Sequence, residues 1–442
     1  MKFEWLSNAM EDWPEDVPQL YPELDGKALS SFMDTDKYRD LCKLPRVVVL
    51  PIASEKCTDV DRFFGIGLSR LLIRDLMLVR DLSIRGPEET PLLLKDEAAE
   101  QHRVRNDDSI WVSGYSRVRR DSFGVELRIH QPGKKTCGTT IKDANFREFV
   151  TQCTTTIAKV IGGTVTDDIQ KSWATGRPTT AKTLVDMGQL LSRHKNAAEK
   201  SRAALKLWFR DKSFSVALHA VEDRNQPNLR STLLEAFDRD PNNAQLCYEL
   251  FHSVWETEGY EPHALQFLRR AIELSPGHGK AHMCAPYAAH PEVNMLAHAH
   301  LGYRLQPGNP RAIDSYIQLL GEAGYPPKKL LNIARKGIKH DPYDPNNYHR
   351  MIDLFIDESD YRNALKIAER LHGLFVPEID ERAWYCMEQN PRIRDRLLTG
   401  EYDPVAENVD VIHQLRDALS DGESSVRLSS LSSLSTLSKR LV

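Results

Sequence analysis

Four short polar turns built on proline decide the fold of this sequence: Asp240-Pro-Asn-Asn243, Ser275-Pro-Gly-His278, Gln306-Pro-Gly-Asn309 and Asp341-Pro-Tyr-Asp344. Their prolines stand 35, 31 and 35 residues apart. Proline cannot continue a helix and pushes the residue before it out of the helical region, so we expect a helix to end before each turn. A period of about 34 residues is typical of stacked helix–turn–helix repeats.

The segments between these turns have the apolar spacing of amphipathic helices. Before Pro276, the residues Ala264, Leu268 and Ala271 recur at i, i+4 and i+7 and therefore share one helix face. Alanine at such positions lets a neighbouring helix approach closely. The same kind of pattern resumes after Pro342, at Tyr348, Met351, Ile352, Phe355, Ala364, Ala368 and Leu371.

This array resembles the tetratricopeptide repeat, whose second helix carries small residues and whose end carries a proline. Ala264, Ala271, Ala364 and Ala368 match the small residues, and Pro241, Pro276, Pro307 and Pro342 match the closing proline. The match is good at 244–276 and 345–374 and weaker at 279–307 and 310–342. The resemblance implies an all-α solenoid over 180–399, with capping helices at 377–398.

The resemblance also implies a function, because first-helix positions of the repeat line a concave groove that binds protein. We therefore expect a non-enzymatic scaffold or adaptor for protein–protein interaction. Carried over position by position, the partner-binding residues are Gln245, Tyr248, His252, Lys280, Tyr287, Arg311, Asp314, Gln318, Asn346, His349 and Asp353.

Residues 45–165 differ in character and predict a small mixed α/β sheet domain. β-Branched and alternating apolar runs predict the strands, and amphipathic runs predict the helices. The predicted strands are 46–52, 82–85, 109–119, 123–130 and 135–141, and the predicted helices are 61–79, 97–104 and 146–161.

Three short motifs in this domain resemble the TolB N-terminal-like domain: Val48-Val-Leu-Pro-Ile52, Phe63-Phe-Gly-Ile-Gly-Leu68 and Trp111-Val-Ser-Gly-Tyr115. In many bacterial proteins that domain is followed directly by tetratricopeptide repeats, and the same order is found here. The resemblance therefore implies a bacterial α/β module joined to a helical array.

Three further segments complete the predicted organisation. Residues 1–44 form an acidic, aromatic extension, 166–179 a polar linker and 400–442 a Ser-rich tail. Within the tail, leucines recur every three or four residues from Leu428 to Leu441. The tail is either a solvated end or an amphipathic helix that folds on a partner or on a neighbouring copy.

Composition indicates a globular, cytoplasmic protein without a membrane span. The chain has 442 residues, 41% hydrophobic residues and a net charge of −4, which gives no general attraction for nucleic acid. Its seven cysteines are scattered, which is typical of free thiols in a reducing compartment. The first residues lack the apolar core of a signal peptide.

No catalytic, cofactor or metal motif was found by sequence. Gly65-Ile-Gly67 is interpreted as a helix-start turn, with a phosphate loop as the alternative. Zinc ligands are one interpretation of five histidines near Cys284, but surface and inter-helix positions are the interpretation we favour. These histidines are His278, His282, His290, His298 and His300.

A second functional hypothesis rests on the basic hairpin of the α/β domain. Arg117 and Arg119 alternate onto one strand face and Arg120 follows in the turn, a pattern that could bind phosphates. The alternative function is therefore an anion- or nucleic-acid-responsive regulator. A solvated strand face is the simpler interpretation.

Overall fold

The computed structural model describes residues 40–54, 58–85, 109–119, 122–193, 197–223, 226–258, 262–285, 295–307, 309–322, 324–340, 345–374 and 404–420. These residues fall into two compact units, an N-terminal unit up to 285 and a C-terminal unit from 295. Several predictions lie outside the described residues. They concern the N-terminal extension before residue 40, the helix at 97–104, the capping helices at 377–398 and the leucines beyond 420.

The N-terminal unit begins with a mixed β-sheet, as predicted. Its strand order is β3-β1-β4-β5-β6, with β2 beside β4. Strand β1 runs parallel to β3 and β4, whereas β4, β5 and β6 are antiparallel neighbours. The strands are β1 (Arg46–Val49), β2 (Ala53–Ser54), β3 (Ser83–Ile84), β4 (Ile110–Arg119), β5 (Ser122–His130) and β6 (Cys137–Asp143).

Two helices cover one face of this sheet. They are α1 (Asp59–Met77) and α2 (Phe146–Ile161). Their shared core is aromatic: the ring of Phe123 on β5 lies 5.9 Å from that of Phe64 and 5.8 Å from that of Phe149. Helix α2 ends where predicted, because Gly162 adopts a left-handed conformation with φ of 94°.

The segment predicted as a polar linker contains a helix instead, α3 (Asp167–Thr175). Thr166 caps it by accepting a hydrogen bond from the Ile169 amide. Trp173 anchors it, since its side chain is buried and its indole N–H donates to the Asp75 carbonyl at 2.8 Å. The segment is therefore packed against the N-terminal unit through Trp173, although most of its other residues are exposed.

The predicted helix start at Gly65-Ile-Gly67 lies within α1, where the glycines allow another helix to approach. That helix is α4 (Ala181–Arg193). A Cβ atom on Gly67 would lie 2.1 Å from the Leu184 carbonyl oxygen, and one on Gly188 would lie 1.9 Å from the Phe63 carbonyl oxygen. The two backbones are therefore in direct contact, and the glycines form neither a helix-start turn nor a phosphate loop.

The remaining helices of the N-terminal unit follow the predicted spacing closely. A 3₁₀ helix occupies Ser215–Ala220. Ala264, Leu268 and Ala271 are fully buried in one apolar core. The α-helices are α5 (Ala197–Arg210), α6 (Leu229–Arg239), α7 (Ala244–Glu258), α8 (Pro262–Leu274) and α9 (Gly279–Cys284).

The described part of the C-terminal unit is helical, and its consecutive helices from α10 onwards pack against one another. The last helix packs against the one before it and buries Val411, Ile412 and Leu415. The helical region thus continues past the boundary predicted at 400. The helices are α10 (Met295–Leu305), α11 (Pro310–Glu322), α12 (Pro327–His340), α13 (Pro345–Asp357), α14 (Tyr361–Leu374) and α15 (Pro404–Ser420).

Candidate protein-binding surface

The partner-binding residues predicted in the N-terminal unit are buried. Gln245, Tyr248, His252 and Lys280 are each less than 8% exposed. In this conformation a partner cannot reach these side chains without local opening of the unit. Tyr287, predicted to act with them, lies outside the described residues.

These buried residues bond to one another instead of facing outward. The Tyr248 hydroxyl lies 2.8 Å from His252 Nε2, and the Cys284 thiol lies 3.6 Å from that hydroxyl. Gln245 Nε2 donates to Glu249 Oε1 at 2.6 Å. The result is an internal polar cluster between helices α7 and α9.

A buried ion pair joins the α/β domain to the first proline turn. Arg74 on α1 pairs with Asp240, the residue before Pro241, and both side chains are almost completely buried. Ser215 Oγ also donates to the Asp240 carboxylate at 2.6 Å, and Asn243 Nδ2 donates at 3.1 Å. Burial alone would raise the pKa of Asp240, but Arg74 and these hydrogen bonds hold it below its ordinary value.

A second buried pair extends this network towards α2 and α3. Arg177 donates to the Asp75 carboxylate from Nε at 3.0 Å and from Nη2 at 2.8 Å. Its guanidinium also lies 5.3 Å from the centre of the Trp173 ring. Arg74 donates to the other Asp75 oxygen at 2.8 Å, so two arginines neutralise two aspartates.

The second proline turn packs against the edge of the sheet. Ser83 Oγ on β3 donates to the Gly277 carbonyl at 2.8 Å. A Cβ atom on Gly277 would lie 2.6 Å from the Leu82 carbonyl oxygen, so only glycine fits this contact. Two turns that the sequence predicted as helix ends therefore also attach the helices to the α/β domain.

In the C-terminal unit, two of the predicted residues lie on neighbouring helices and share one arginine. Asp314 is on α11 and Asp353 on α13, beside Arg350 of the same helix. Arg350 Nε lies 3.3 Å from Asp314 Oδ1, and about a fifth of each side chain is exposed. Arg311, Asn346 and His349 are half-buried, and Gln318 is exposed.

The two carboxylates are incompletely neutralised. Burial raises the pKa of Asp314 to about 6, although Arg350 opposes the shift. Burial raises the pKa of Asp353 to about 7, with Arg350 opposing and Asp314 and Asp357 adding to the shift. A single guanidinium therefore serves several acidic groups on this surface.

Sequence reasoning missed Arg350 and the buried arginines of the N-terminal unit. Arg350 precedes Asp353 by three residues on one helix, so the spacing of neighbours on a helix surface could have found it. Arg74 and Asp75 interrupt the apolar face of α1 between Leu72 and Leu76. A charged pair at such a position indicates a buried partner of opposite charge elsewhere.

The hairpin arginines and the histidines have separate surroundings. Arg117 is half-buried and Arg119 exposed, and Arg120 lies outside the described residues.

His278, His282, His298 and His300 are buried at inter-helix positions rather than at the surface, and burial lowers the pKa of His300 to about 3. His290 lies outside the described residues. No group of three metal-ligating residues occurs in the part of the chain that the structure describes.

Free thiols occur at Cys42, Cys137, Cys153, Cys247 and Cys284. Cys57 and Cys386 lie outside the described residues. Among the described helices, none combines the length and apolar character needed to cross a membrane.

Comparison with known proteins adds no assignment. No family model matches the chain, and no curated protein matches it.

Proposed function

We propose that this protein is a scaffold or adaptor that binds a protein partner, without catalysis, through helices α11 and α13. In this proposal the α/β domain corresponds to a TolB N-terminal-like module and the following helices to a tetratricopeptide-like solenoid. The supporting observation is the partly exposed Asp314–Arg350–Asp353 cluster. It joins two neighbouring helices at positions that the repeat would use for binding.

The burial of the other predicted residues favours the C-terminal unit as the binding region. Within the N-terminal unit Tyr248 and His252 already bond to each other, Gln245 donates to Glu249, and the Lys280 ammonium lies 6.0 Å from the centre of the Tyr248 ring. Asp314, Gln318 and Asp353 retain exposed surface. A partner would therefore meet the α11–α13 surface first.

The charges of this surface define the chemistry of the partner. Arg350 is shared by Asp314 and Asp353, and Asp357 adds a further negative charge nearby. A lysine or arginine side chain of the partner would supply the cation that this cluster lacks. The proposed interaction is cytoplasmic, and the scattered cysteines of the sequence, a pattern typical of free thiols in a reducing compartment, support this part of the proposal.

The test compares partner capture by the full chain and by Asp314→Asn/Asp353→Asn. Proteins that co-purify with the native chain are identified by mass spectrometry, and the affinity of the purified partner is then measured. Since a close charge pair at an interface contributes about 1.5 kcal/mol or more, we expect at least about tenfold weaker binding by the variant.

The control variant, Asp238→Asn/Glu273→Gln, removes two exposed acidic groups from the N-terminal unit. It should bind the partner as tightly as the wild type does. Equal binding by the wild type and Asp314→Asn/Asp353→Asn would overturn the assignment of this surface.

A further inference from the structure

One face of the β-sheet lies opposite helices α1 and α2 and carries alternate residues of β4. Ser116 points towards α1, since its hydroxyl donates to the Asp61 carbonyl at 2.8 Å. Successive side chains of a strand point to opposite faces. Tyr115, Arg117 and Arg119 therefore project from the other face, which we call the outer face.

The strand register brings a third basic residue to this outer face. Arg117 lies opposite Gly124 on β5, and Gly124 lies opposite Lys142 on β6. Strands are about 4.8 Å apart, which separates the Cα atoms of Arg117 and Lys142 by roughly 10 Å. Gly124 lies between the two cations, and the Lys142 side chain leans towards it, since a Cβ atom on Gly124 would lie 3.7 Å from Lys142 Cγ.

The charges on this face are predominantly positive. Arg117, Arg119, Arg128 and Lys142 are basic, and Glu126 is the acidic residue among them. Glu126 pairs with Arg128 at 3.0 Å. Within the described part of the chain, Arg119 and Lys142 have no acidic partner, and both are exposed.

Beside these cations the face presents a flat stacking group. The Arg128 guanidinium lies 4.8 Å from the centre of the Tyr115 ring. Glu126 Oε1 accepts hydrogen bonds from Arg128 Nε and Nη2, at 3.1 and 3.0 Å, and so holds the guanidinium plane in place. Exposed guanidinium planes and aromatic rings are the groups on which unpaired bases stack.

We propose that the outer face binds single-stranded nucleic acid without sequence preference. Arg117, Arg119 and Lys142 contact the phosphates, and a base stacks on the Arg128–Tyr115 platform. The negative charge of the whole chain does not oppose this role, because the cations are concentrated on one face. The proposal is independent of protein binding by the C-terminal unit.

The test measures the fluorescence anisotropy of a labelled, mixed-sequence single-stranded RNA with the full chain at increasing salt. Three phosphate contacts predict a slope of about −2 in a plot of log K against log salt concentration. In Arg117→Ala/Arg119→Ala/Lys142→Ala, affinity at low salt should fall at least about tenfold and the slope should approach zero.

A matched control removes the same charge elsewhere. Lys328→Ala/Arg335→Ala/Lys339→Ala changes three exposed basic residues of α12, and RNA binding should be unchanged. Circular dichroism spectra of both triple variants should match the wild type. Absence of binding at the lowest salt, or an equal loss in the control, would overturn the proposal.

A second variant separates base stacking from general attraction for anions. Arg128→Lys keeps the charge but removes the guanidinium plane, so RNA affinity should fall about fivefold or more. Inorganic polyphosphate has no bases, and its binding should not change in this variant. If Arg128→Lys binds RNA like the wild type, the face is a plain polyanion surface and the nucleic-acid proposal is wrong.

Discussion

At the scale of single residues, the buried charges show how polar groups are tolerated in the N-terminal unit. Arg74, Asp75, Arg177 and Asp240 lie together with balanced charges. Removing one partner of such a pair typically costs about 3–5 kcal/mol, because the other charge stays buried without compensation. The network therefore favours one arrangement of α1, α3 and the first proline turn.

The two aspartates of the C-terminal unit predict a pH-dependent difference in stability. Their pKa values, about 6 and about 7, exceed the unfolded value of about 3.9, so the folded chain binds protons that the unfolded chain has released. Their contribution to stability is complete below about pH 4 and is lost as the pH rises towards 7. The free energy of unfolding of Asp314→Asn/Asp353→Asn, measured relative to that of the wild type, should therefore increase as the pH rises from 5 to 8.

Urea unfolding at pH 5, 6, 7 and 8 measures this difference. The difference between variant and wild type is measured because histidines with lowered pKa values change the stability of both proteins in the opposite direction. Burial lowers the pKa of His278 and His349 to about 4, so their contribution is present above pH 6.5 and is lost as the pH falls. A constant difference between variant and wild type across this range would contradict the prediction.

At the scale of elements, the crossing of α1 and α4 depends on glycines. The carbonyl oxygen of Leu184 occupies the space that a side chain on Gly67 would need. Gly188 has the same relation to Phe63. Helix α1 belongs to the α/β domain and α4 to the helical array. Their close crossing therefore places both parts in one core.

Gly67→Ala should therefore lower the free energy of unfolding by about 1–3 kcal/mol, since the two backbones must separate. Chemical denaturation measures the change. Gly373→Ala is the matched control, because a Cβ atom there would have open space, and the lower flexibility of alanine should leave stability unchanged or slightly higher. Equal effects of the two substitutions would argue against the close crossing.

At the scale of the whole molecule, the boundary between the two compact units does not fall where the sequence changes from α/β to helical. The N-terminal unit contains both the sheet and the helices up to residue 285. Asp240 and Gly277 connect the proline turns to α1 and β3. The helices between 229 and 285 should therefore depend on the α/β domain for their stability.

The fragment 180–442 tests this dependence. Without Arg74 and Ser83, the turns at Asp240 and Gly277 lose their buried partners, so amide hydrogen exchange in 229–285 should become much faster than in the full chain. Exchange in 309–374 should change little, because those residues belong to the other unit. Unchanged protection of 229–285 in the fragment would show that the helices fold independently.

The sequence by itself determined the class and order of most elements, although not of α3 or β2. Helix α2 occupies the predicted residues 146–161, and the helices α6 and α8 end before Pro241 and Pro276 as expected. These features depend on local chemistry: apolar spacing along one helix, the missing N–H of proline and the backbone freedom of glycine. Each can be evaluated within a few neighbouring residues.

Only the tertiary structure decided which polar residues are buried together. Asp240 and Arg74 are 166 residues apart in sequence, and nothing local distinguishes Asp240 from an exposed turn residue. The same limit applies to the predicted partner-binding residues, which were all carried over from first-helix positions of the resembled repeat. Gln245 is buried whereas Gln318 is exposed, because exposure depends on distant segments that cover one helix and leave another open.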